Sequence, residues 1–599
     1  MSHKISNIVI KNFKSCADTE IILSEFTPLI GYNNAGKSNC LSAIQWLLRK
    51  NSLAEKDFYD VSQPVEVIAT IVGISSQLLD LMPSNQKRSI EGQIVNGELK
   101  IRRIQDKPNA KTTDIKLSVW DQTSSDWILN PTGIDNAINV LLPEPIRIGA
   151  MENAAEDASK AKTTTTIGKL LAEFLEPVKT SHESELNQHL LEVAARISSS
   201  GDQRFSELAN IDQGVNLKVN DLFPGMSVKL HFETPTIDDL VKTGTLKVFE
   251  GQGNARDFAS YGHGAQRSIQ MALVQYLAEI KRQNGTQSTT LLLIDEPELY
   301  LHPFAIEQVR EALIALSRNG YQVVISTHSA QMITAESAET AILIRKNEQR
   351  GTYSRKRLVD AIQNVVPNST HQMEHLFSLT YSTQLLFAEN VVLTEGKTEL
   401  RLLPFIFKCL SNITMGQEKH ALVAQGGVND TQKSLAILAE MDLPTKAICD
   451  LDYCFNGAIT HNFLSSTDSD IVNIKVILER IAPQKGISLN TSTRLPQKNP
   501  TISAAKAYEI LAAETDAIPL IESLHNKMKA QGIWIWKKGA IEAHIGTSSK
   551  TESEWAKFKQ DVINNGCNAT CADYQGISDL VTWLRSLVAR YDSCRISRS

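Results

Sequence analysis

The stretch Leu29-Ile-Gly-Tyr-Asn-Asn-Ala-Gly-Lys-Ser38 fits the pattern G-x-x-x-x-G-K-[ST] of a P-loop, the glycine-rich turn between a buried strand and a helix. Apolar residues precede it, and apolar residues recur at helical spacing from Cys40 to Leu48. Gly31 and Gly36 let the backbone curl so that its N–H groups point at a polyphosphate, and the helix offers its positive N-terminal end to the same anion. The stretch therefore predicts a nucleotide site.

The polar side chains of the P-loop are the predicted ligands of this site. Lys37 is expected to reach the β- and γ-phosphates, and Ser38 is expected to ligate Mg²⁺. Asn34 and Asn39 flank these two residues and belong to the same predicted cofactor-binding set. The predicted cofactors are ATP and Mg²⁺ or Mn²⁺.

The composition is that of an ordinary soluble protein of two to four domains. The chain has 599 residues, of which 42% are hydrophobic and 21% are charged. No apolar run reaches the length of a bilayer span, and the N-terminus lacks the apolar core of a signal peptide, so we expect a cytoplasmic protein. Since the net charge is −6, any contact with nucleic acid must come from local basic surface.

A second glycine-containing turn lies ahead of another helical segment. Ser260-Tyr-Gly-His-Gly-Ala-Gln-Arg-Ser268 runs into a segment whose apolar residues fall on one helical face. Ser260, Gly262 and Gly264 would form a second anion-binding cradle at the start of that helix. Taken alone, the stretch is equally consistent with a simple turn.

Two strand-like stretches further on end in residues suited to ATP hydrolysis. Residues 291–294 are apolar and lead to Asp295, which would hold the Mg²⁺ shell, and to Glu296, which would polarise the attacking water. Residues 322–327 would deliver His328 to the γ-phosphate. Each feature alone also fits a strand end or a buried histidine, but the order P-loop, second cradle, acidic strand end and histidine favours one ATPase head.

This ordered set resembles the ATP-binding-cassette heads of the structural-maintenance and DNA-repair ATPases. In that class the signature loop of one head, here residues 260–264, closes over the P-loop of another head. The chain carries one set of motifs, so the resemblance implies a homodimer, at least when ATP is bound.

Acidic residues follow two predicted strands in the second half of the chain. The first strand ends at Glu395, and Glu399 lies one helical turn beyond it, so both side chains can face one cavity. The second strand runs into Asp450-Leu-Asp452. Because side chains alternate along a strand, Asp450 and Asp452 are expected to share a face.

These four carboxylates predict a metal site. Carboxylates at strand ends of one parallel sheet cannot lie together ionised without cations, and oxygen ligands favour Mg²⁺ or Mn²⁺. Such a cluster supports phosphodiester cleavage or transfer. The alternative treats Glu395 as an acid at a helix start and Asp450 as a loop entry, but both motifs in this order favour the metal site.

Glu395-Gly-Lys-Thr-Glu399 and Asp450-Leu-Asp452 together resemble the Toprim domain of topoisomerases, primases and a group of nucleases. An ATP-binding-cassette head followed by Toprim resembles the overcoming-lysogenization-defect (OLD) nuclease family, which includes the nuclease of the Gabija antiphage system and effectors attached to some retrons. The resemblance spans residues 5–545. It implies an ATP-binding, metal-dependent DNA endonuclease that acts in antiphage defence, alone or with a helicase-like protein or a reverse transcriptase and its DNA product.

The resemblance also implies roles for single residues. Glu395 and Glu399 would serve one metal ion, and Asp450 and Asp452 would bridge to or complete the other. A later acidic residue of the family matches Glu542. No motif assigns the lysine that would neutralise the transition state, for which the nearby candidates are Lys550, Lys557 and Lys559.

The predicted fold class is α/β, with a split ATPase head, a helical dimerisation insertion and a parallel-sheet Toprim domain. Strand character is expected to return at residues 227–233. The predicted boundaries are 1–150 for the first part of the head, 151–222 for the insertion, 223–356 for the second part of the head, 357–388 for linker helices and 389–599 for Toprim with its C-terminal extension.

Two other functions remain open from the sequence. A repair or chromosome-organising ATPase of the structural-maintenance type would bind DNA without cutting it, but its long heptads are missing. A topoisomerase would need a nucleophilic tyrosine on a separate DNA-binding domain, and Tyr574 lacks that setting.

Overall fold

The structure is a computed structural model that describes residues 3–80, 82–129, 132–142, 145–150, 166–237, 239, 246–249, 251, 253–284, 289–366, 382–424 and 431–586. Residues 151–165 of the predicted insertion and 367–381 of the predicted linker lie outside this set. The chain divides into two compact units. The first unit is Met1–Leu29, Gly36–Met332 and Lys346–Tyr353, and the second unit is Ile30–Ala35, Ile333–Arg345 and Ser354–Ser599.

The strands, in chain order, are β1 Lys4–Phe13, β2 Cys16–Ile22, β3 Phe26–Ile30, β4 Val65–Val72, β5 Leu99–Gln105, β6 Lys116–Asp121, β7 Asp126–Leu129, β8 Ile146–Ile148, β9 Lys247–Val248, β10 Arg256–Asp257, β11 Thr290–Asp295, β12 Tyr321–Thr327, β13 Ile342–Asn347, β14 Gly351–Ser354, β15 Asn390–Thr394, β16 His420–Ala424, β17 Thr445–Cys449, β18 Ser488–Leu489, β19 Pro496–Gln497 and β20 Ile533–Ile535.

The α-helices are Lys37–Leu48, Ser76–Asp80, Ser84–Arg88, Ile134–Leu141, Thr166–Ile197, Ser206–Leu222, His263–Asn284, Pro303–Ser317, Ala335–Thr340, Leu358–Val365, Ser382–Phe387, Lys397–Ser411, Thr431–Glu440, Gly457–Thr460, Ser469–Lys485, Ala504–Ala512, Ile518–Lys529, Ile541–Ile545, Glu552–Asn565, Cys567–Thr570 and Tyr574–Arg585. No described helix is both long enough and apolar enough to cross a bilayer.

The first unit contains an antiparallel run of strands in the order β7-β6-β5-β4-β1-β2-β14. Side chains along β5 alternate between buried and partly exposed positions, as expected of a sheet with one covered face. The strands β4, β5, β6 and β7 thus form a continuous antiparallel sheet.

The strands that lead to Asp295 and His328 belong to a second run of strands in the first unit, in the order β3-β12-β11-β8. β11 pairs in parallel with both β8 and β12. All seven residues of β12 are buried, and its centre is the apolar run Val323, Val324 and Ile325. Because β11 and β12 are parallel, their carboxyl ends lie at one edge, and this edge carries Asp295 and His328.

The predicted strand at residues 227–233 is wrong. Its backbone pairs with side chains of the helix Ser206–Leu222 rather than with a neighbouring strand. Asn216 exchanges two hydrogen bonds with the backbone of Val228, at 2.7 and 2.9 Å, and Asp212 Oδ1 accepts a hydrogen bond from the Leu230 N–H at 2.9 Å. These side chains satisfy backbone groups that a sheet would otherwise pair.

The second unit is built on a parallel four-stranded sheet in the order β16-β15-β17-β20. Alternate residues of β15 enter two different cores, with Val391 and Leu393 in one and Val392 in the other. Helices thus cover both faces of the sheet, as a parallel sheet requires. The carboxyl ends of β15, β17 and β20 consequently meet at one edge.

Candidate functional site

The P-loop has the backbone that its sequence predicts. Gly36 caps the helix Lys37–Leu48 with φ 103°, a left-handed conformation that glycine adopts without strain. A Cβ atom there would lie 2.1 Å from Thr352 Oγ1, so the space also requires glycine. Asn34 is left-handed as well, with φ 65°. A Cβ atom on Gly31 would lie 2.4 Å from the carbonyl oxygen of Ile344.

The structure brings the P-loop side chains to the ends of β11 and β12. Lys37 Nζ donates to His328 Nε2 at 2.7 Å, and Ser38 Oγ donates to Asp295 Oδ1 at 2.9 Å. Burial and the Lys37 ammonium both lower the pKa of His328, so its ring is neutral at physiological pH and Nε2 can accept. Four predicted residues from three distant stretches of the sequence therefore lie together.

Two arginines for which no role was predicted hold the strand end that carries Asp295 and Glu296. Arg147 Nη2 donates to Asp295 Oδ2 at 2.7 Å. Arg267 Nη2 donates to the carbonyl oxygens of Asp295 and Glu296, at 2.6 and 2.7 Å. Burial lowers the pKa of Arg267 to about 10, so it is still charged at neutral pH. Arg147 lies in no motif, and Arg267 lies within the stretch 260–268 but no role was predicted for it.

Glu296 occupies a strained backbone position beside the histidine. Its φ is 47°, a conformation that residues other than glycine rarely adopt and that clusters at functional sites. Its Oε1 lies 3.4 Å from His328 Nε2. Glu298 supports the same loop, because its Oε1 accepts hydrogen bonds from Thr327 Oγ1 at 2.8 Å and from the His328 N–H at 2.9 Å.

The remaining residues of the predicted nucleotide set lie at the surface or in supporting contacts. Ser260 and Gly262 are exposed at the start of the helix His263–Asn284, and Gly264 lies in its first turn. Asn39 Nδ2 donates to Ser15 Oγ at 2.7 Å. The structure thus presents the predicted signature loop outward.

The predicted carboxylates lie around the carboxyl edge of the parallel sheet in the second unit. Glu395 follows β15, and its Oε2 accepts a hydrogen bond from the Asp450 N–H, after β17, at 3.2 Å. Glu399 is buried in the first turn of the helix Lys397–Ser411. Glu542 is buried in the helix Ile541–Ile545, which follows β20.

The expectation that Asp450 and Asp452 share a face because they lie on one strand is wrong. β17 ends at Cys449, and residues Leu451–Phe455 form a 3-10 helix capped by Asp450, so strand alternation does not apply. Both aspartates nevertheless interact electrostatically with Glu395. The helical turn, not the strand, brings them to the same cluster.

Burial and mutual repulsion make this cluster hard to ionise. Burial first, and the Asp452 carboxylate second, raise the pKa of Glu395 to about 7. Burial, followed by the Glu395 carboxylate, raises the pKa of Asp450 well above its usual range. Burial also raises the pKa of Glu399 and of Asp452. Neighbouring groups with such perturbed pKa values are candidates for a functional site.

Lys550 is the lysine that the structure places at the cluster. Its Nζ lies 3.6 Å from Glu542 Oε2, and its side chain is 60% exposed. Burial alone would lower the pKa of Lys550, but four carboxylates, Glu542 foremost, raise it. Lys559 instead lies over the Phe405 ring. The folded structure therefore distinguishes Lys550 from Lys559, which no sequence motif does.

Neutral protein groups hold two of the carboxylates. Thr398 Oγ1 donates to Glu542 Oε1 at 2.7 Å, and Trp536 Nε1 donates to Glu399 Oε1 at 3.2 Å. In the described part of the chain, no three acidic, histidine or cysteine side chains are grouped as ready ligands of one ion. The carboxylates are therefore gathered at one edge without forming a preassembled metal cage.

These features define a class of protein, in which a P-loop ATPase head and a Toprim-type domain share one chain. A family model described as "AAA domain, putative AbiEii toxin, Type IV TA system" matches residues 26–333. A second, described as "Overcoming lysogenization defect protein-like, TOPRIM domain", matches residues 386–452.

Relatives identify the family. The chain is 41% identical over 594 residues to the Old nuclease of Escherichia phage P2, covering 98% of this chain and 100% of that protein. It is 22% identical to endonuclease GajA of Bacillus cereus strain VD045, over 66% of each chain, and 22% identical to the OLD nuclease of Thermus scotoductus, over 75% of this chain and 82% of that protein. The chain belongs to the OLD nuclease family, with an ATPase domain and a Toprim domain.

A solved Smc head, bound to the C-terminal winged-helix domain of ScpA, also aligns with the chain. The TM-score is 0.34 at 17% identity, over 60% of this chain and 99% of that one. A similarity this low supports no conclusion about function.

Proposed function

We propose that this nuclease is a DNA endonuclease that uses Mg²⁺ or Mn²⁺ in its Toprim domain and binds and hydrolyses ATP in its head. The observation that carries the proposal is the gathering of five carboxylates and Lys550 at the carboxyl edge of one parallel sheet. The nuclease names of the relatives support the reaction class. They disfavour an ATPase that binds DNA without cutting it.

The donor atoms of the cluster suit divalent ions. Asp452 Oδ1 and Glu542 Oε2 are buried without a hydrogen-bond partner, and carboxylate oxygens are ligands that Mg²⁺ and Mn²⁺ prefer. We assign Glu395 and Glu399 to one ion, and Asp450, Asp452 and Glu542 to the other. Bound ions would supply activation of the attacking water and stabilisation of the leaving oxygen.

Lys550 would provide the positive charge that neutralises the transition state, a role that no sequence motif assigns. Its ammonium is exposed on one side and faces the carboxylates on the other. The raised pKa keeps it protonated at neutral pH. From this position it can donate a hydrogen bond to a phosphate oxygen of a DNA backbone, where negative charge increases during cleavage.

In the head, Lys37 would leave His328 and donate to the phosphates of ATP, while Ser38 and Asp295 would hold Mg²⁺. Without its contact to Lys37, His328 and the adjacent Glu296 would be available to the γ-phosphate. The outward position of Ser260 supports a site completed by a second copy of the chain.

We assign the contact between copies to the helical insertion. Its described helices, Thr166–Ile197 and Ser206–Leu222, and the segment after them expose large apolar side chains, a feature of interaction surfaces. The most exposed are Leu191, Leu217, Leu222, Phe223 and Met226. A homodimer or a higher homo-oligomer would cover them.

The biological role that we propose is antiphage defence, on the strength of the relationship to GajA. A helicase-like protein, or a reverse transcriptase with its DNA product, would be the partner of such an effector. Cytoplasmic localisation fits this role.

The proposed reaction is tested with supercoiled plasmid and Mg²⁺ or Mn²⁺. Wild type should yield nicked or linear DNA, Glu395→Ala and Asp450→Ala should yield none, and Glu522→Ala, which removes a surface carboxylate of the same unit, should cleave like wild type. Relaxed closed circles would indicate a topoisomerase. ATP turnover without any DNA product, whatever the metal, would indicate the non-cutting ATPase.

A further inference from the structure

We propose that Thr398 and Trp536 are positioning residues that hold the two buried glutamates of the Toprim site in their metal-binding orientation, an inference that rests on the proposed metal site. Thr398 and Glu542 are 2% and 6% exposed, and their hydrogen bond measures 2.7 Å. Trp536 and Glu399 are buried to a similar degree, with an N···O distance of 3.2 Å. Solvent does not compete for either contact.

The two hydrogen bonds cross between the segments that carry the glutamates. Thr398 precedes Glu399 in the helix Lys397–Ser411, yet it donates to Glu542. Trp536 lies in the segment that leads from β20 to Glu542, yet it donates to Glu399. Each segment therefore fixes the carboxylate of the other. This reciprocal brace joins residues that are 137 and 144 positions apart in sequence.

Each donor occupies one oxygen of its glutamate, and at Glu542 the other oxygen is left for an ion. The second oxygen of Glu542 is buried, has no hydrogen-bond partner and lies 3.6 Å from Lys550 Nζ. A hydroxyl and an indole N–H can orient a carboxylate without neutralising it, whereas a positively charged donor at the same place would compete with the metal for it. Groups that orient metal ligands in this way usually contribute tenfold to hundredfold to metal affinity.

The hydrogen bond from Trp536 to Glu399 is not explained simply by the need of a buried indole N–H for an acceptor. Trp534 and Trp555 lie in the same core, and their indole N–H groups are buried without any hydrogen-bond partner. This core thus tolerates unpaired indoles, and Trp536 is the one whose N–H is directed at a predicted metal ligand.

The test compares variants that remove each donor with matched controls that undergo a similar change of size. Thr398→Val removes the hydroxyl at nearly constant volume, and Thr398→Ser retains it. Trp536→Phe removes a paired indole N–H, and Trp555→Phe is its matched control. For each variant, Mn²⁺ affinity of the full chain, without nucleotide, is measured by electron paramagnetic resonance titration, and the melting temperature is measured in EDTA.

We expect Thr398→Val and Trp536→Phe to bind Mn²⁺ ten to one hundred times more weakly, with Thr398→Ser and Trp555→Phe within about threefold of wild type. Wild-type affinity in Thr398→Val and Trp536→Phe, whatever their melting temperatures, would overturn the inference. If Thr398→Val does not fold, Trp536→Phe against Trp555→Phe decides. A double variant, Glu399→Gln with Glu542→Gln, tests the metal site itself. If it binds Mn²⁺ as tightly as wild type, the proposed metal site is wrong, and not only the role of Thr398 and Trp536.

Discussion

Glu395→Gln should stabilise the metal-free protein at high pH. In the folded state, burial and the Asp452 carboxylate raise the pKa of Glu395 from 4.5 to about 7. Between pH 4.5 and 7 the folded state keeps a proton that the unfolded state has lost, so the free energy of unfolding falls as the pH rises. Above pH 7 the full cost of the buried charge is present. Glutamine carries no such charge, and its carbonyl oxygen can still accept the Asp450 N–H.

The size of the effect follows from the pKa. A difference of about 2.5 pKa units corresponds to at most about 3.5 kcal/mol, since one unit is worth about 1.4 kcal/mol. For a cooperative unit of this size, about 1 kcal/mol shifts the melting temperature by roughly 2–4 °C. We therefore expect Glu395→Gln to melt at most about 7–14 °C above wild type at pH 8 in EDTA, and the difference to shrink towards zero at pH 4.5.

Thermal denaturation followed by circular dichroism measures this directly. Glu522→Gln is the control, because Glu522 forms an exposed ion pair with Lys537 and its loss should change stability by less than about 0.5 kcal/mol. Saturating Mn²⁺ should reverse the order, since it stabilises wild type more than the variant. A variant that is no more stable than wild type at pH 8 in EDTA would refute the electrostatic description of the cluster.

Three further predictions concern the head and the lysine. Lys37→Ala should weaken ATP binding, measured with a fluorescent ATP analogue, and leave Mn²⁺ binding by the Toprim carboxylates unchanged; unchanged ATP affinity would contradict the P-loop assignment. Arg147→Met should lower the Mg²⁺ concentration needed for ATP binding, because Arg147 neutralises Asp295; a higher requirement would show that the arginine instead orders the site. Lys550→Met should reduce the plasmid cleavage rate about 100-fold, whereas Lys557→Met should not; equal rates would exclude the assigned role.

The sequence predicted the parts of the molecule that local spacing determines. The P-loop needs its glycines within a single turn, and acidic residues at the ends of buried strands can be identified from the apolar residues before them. The parallel sheet of the second unit then brings those strand ends to one edge. For these reasons the ATPase and Toprim character, and the α/β fold class, were predictable and are confirmed.

Contacts between distant segments were not predictable. Arg147 and Asp295 are separated by 148 positions, and Thr398 and Glu542 by 144. No periodicity links such pairs, because only the packed helices and sheets bring them together. The same holds for Lys550, because the sequence offered three candidate lysines and no motif that chose among them. Asp452 was assigned to the wrong element for a different reason. The sequence pattern does not show whether a strand continues or gives way to a short 3-10 helix, as it does after Cys449.

The most direct test of the central claim is to locate divalent ions in a crystal of the full chain grown with ATP analogue and Mn²⁺. Anomalous difference density should appear beside Ser38 and Asp295 in the head, and also among the Toprim carboxylates, about 2.2 Å from oxygens of Glu395, Glu399, Asp450, Asp452 or Glu542. Density at the head alone, with the Toprim carboxylates still bonded only to protein groups, would contradict the claim that this edge of the sheet is a metal-dependent nuclease site.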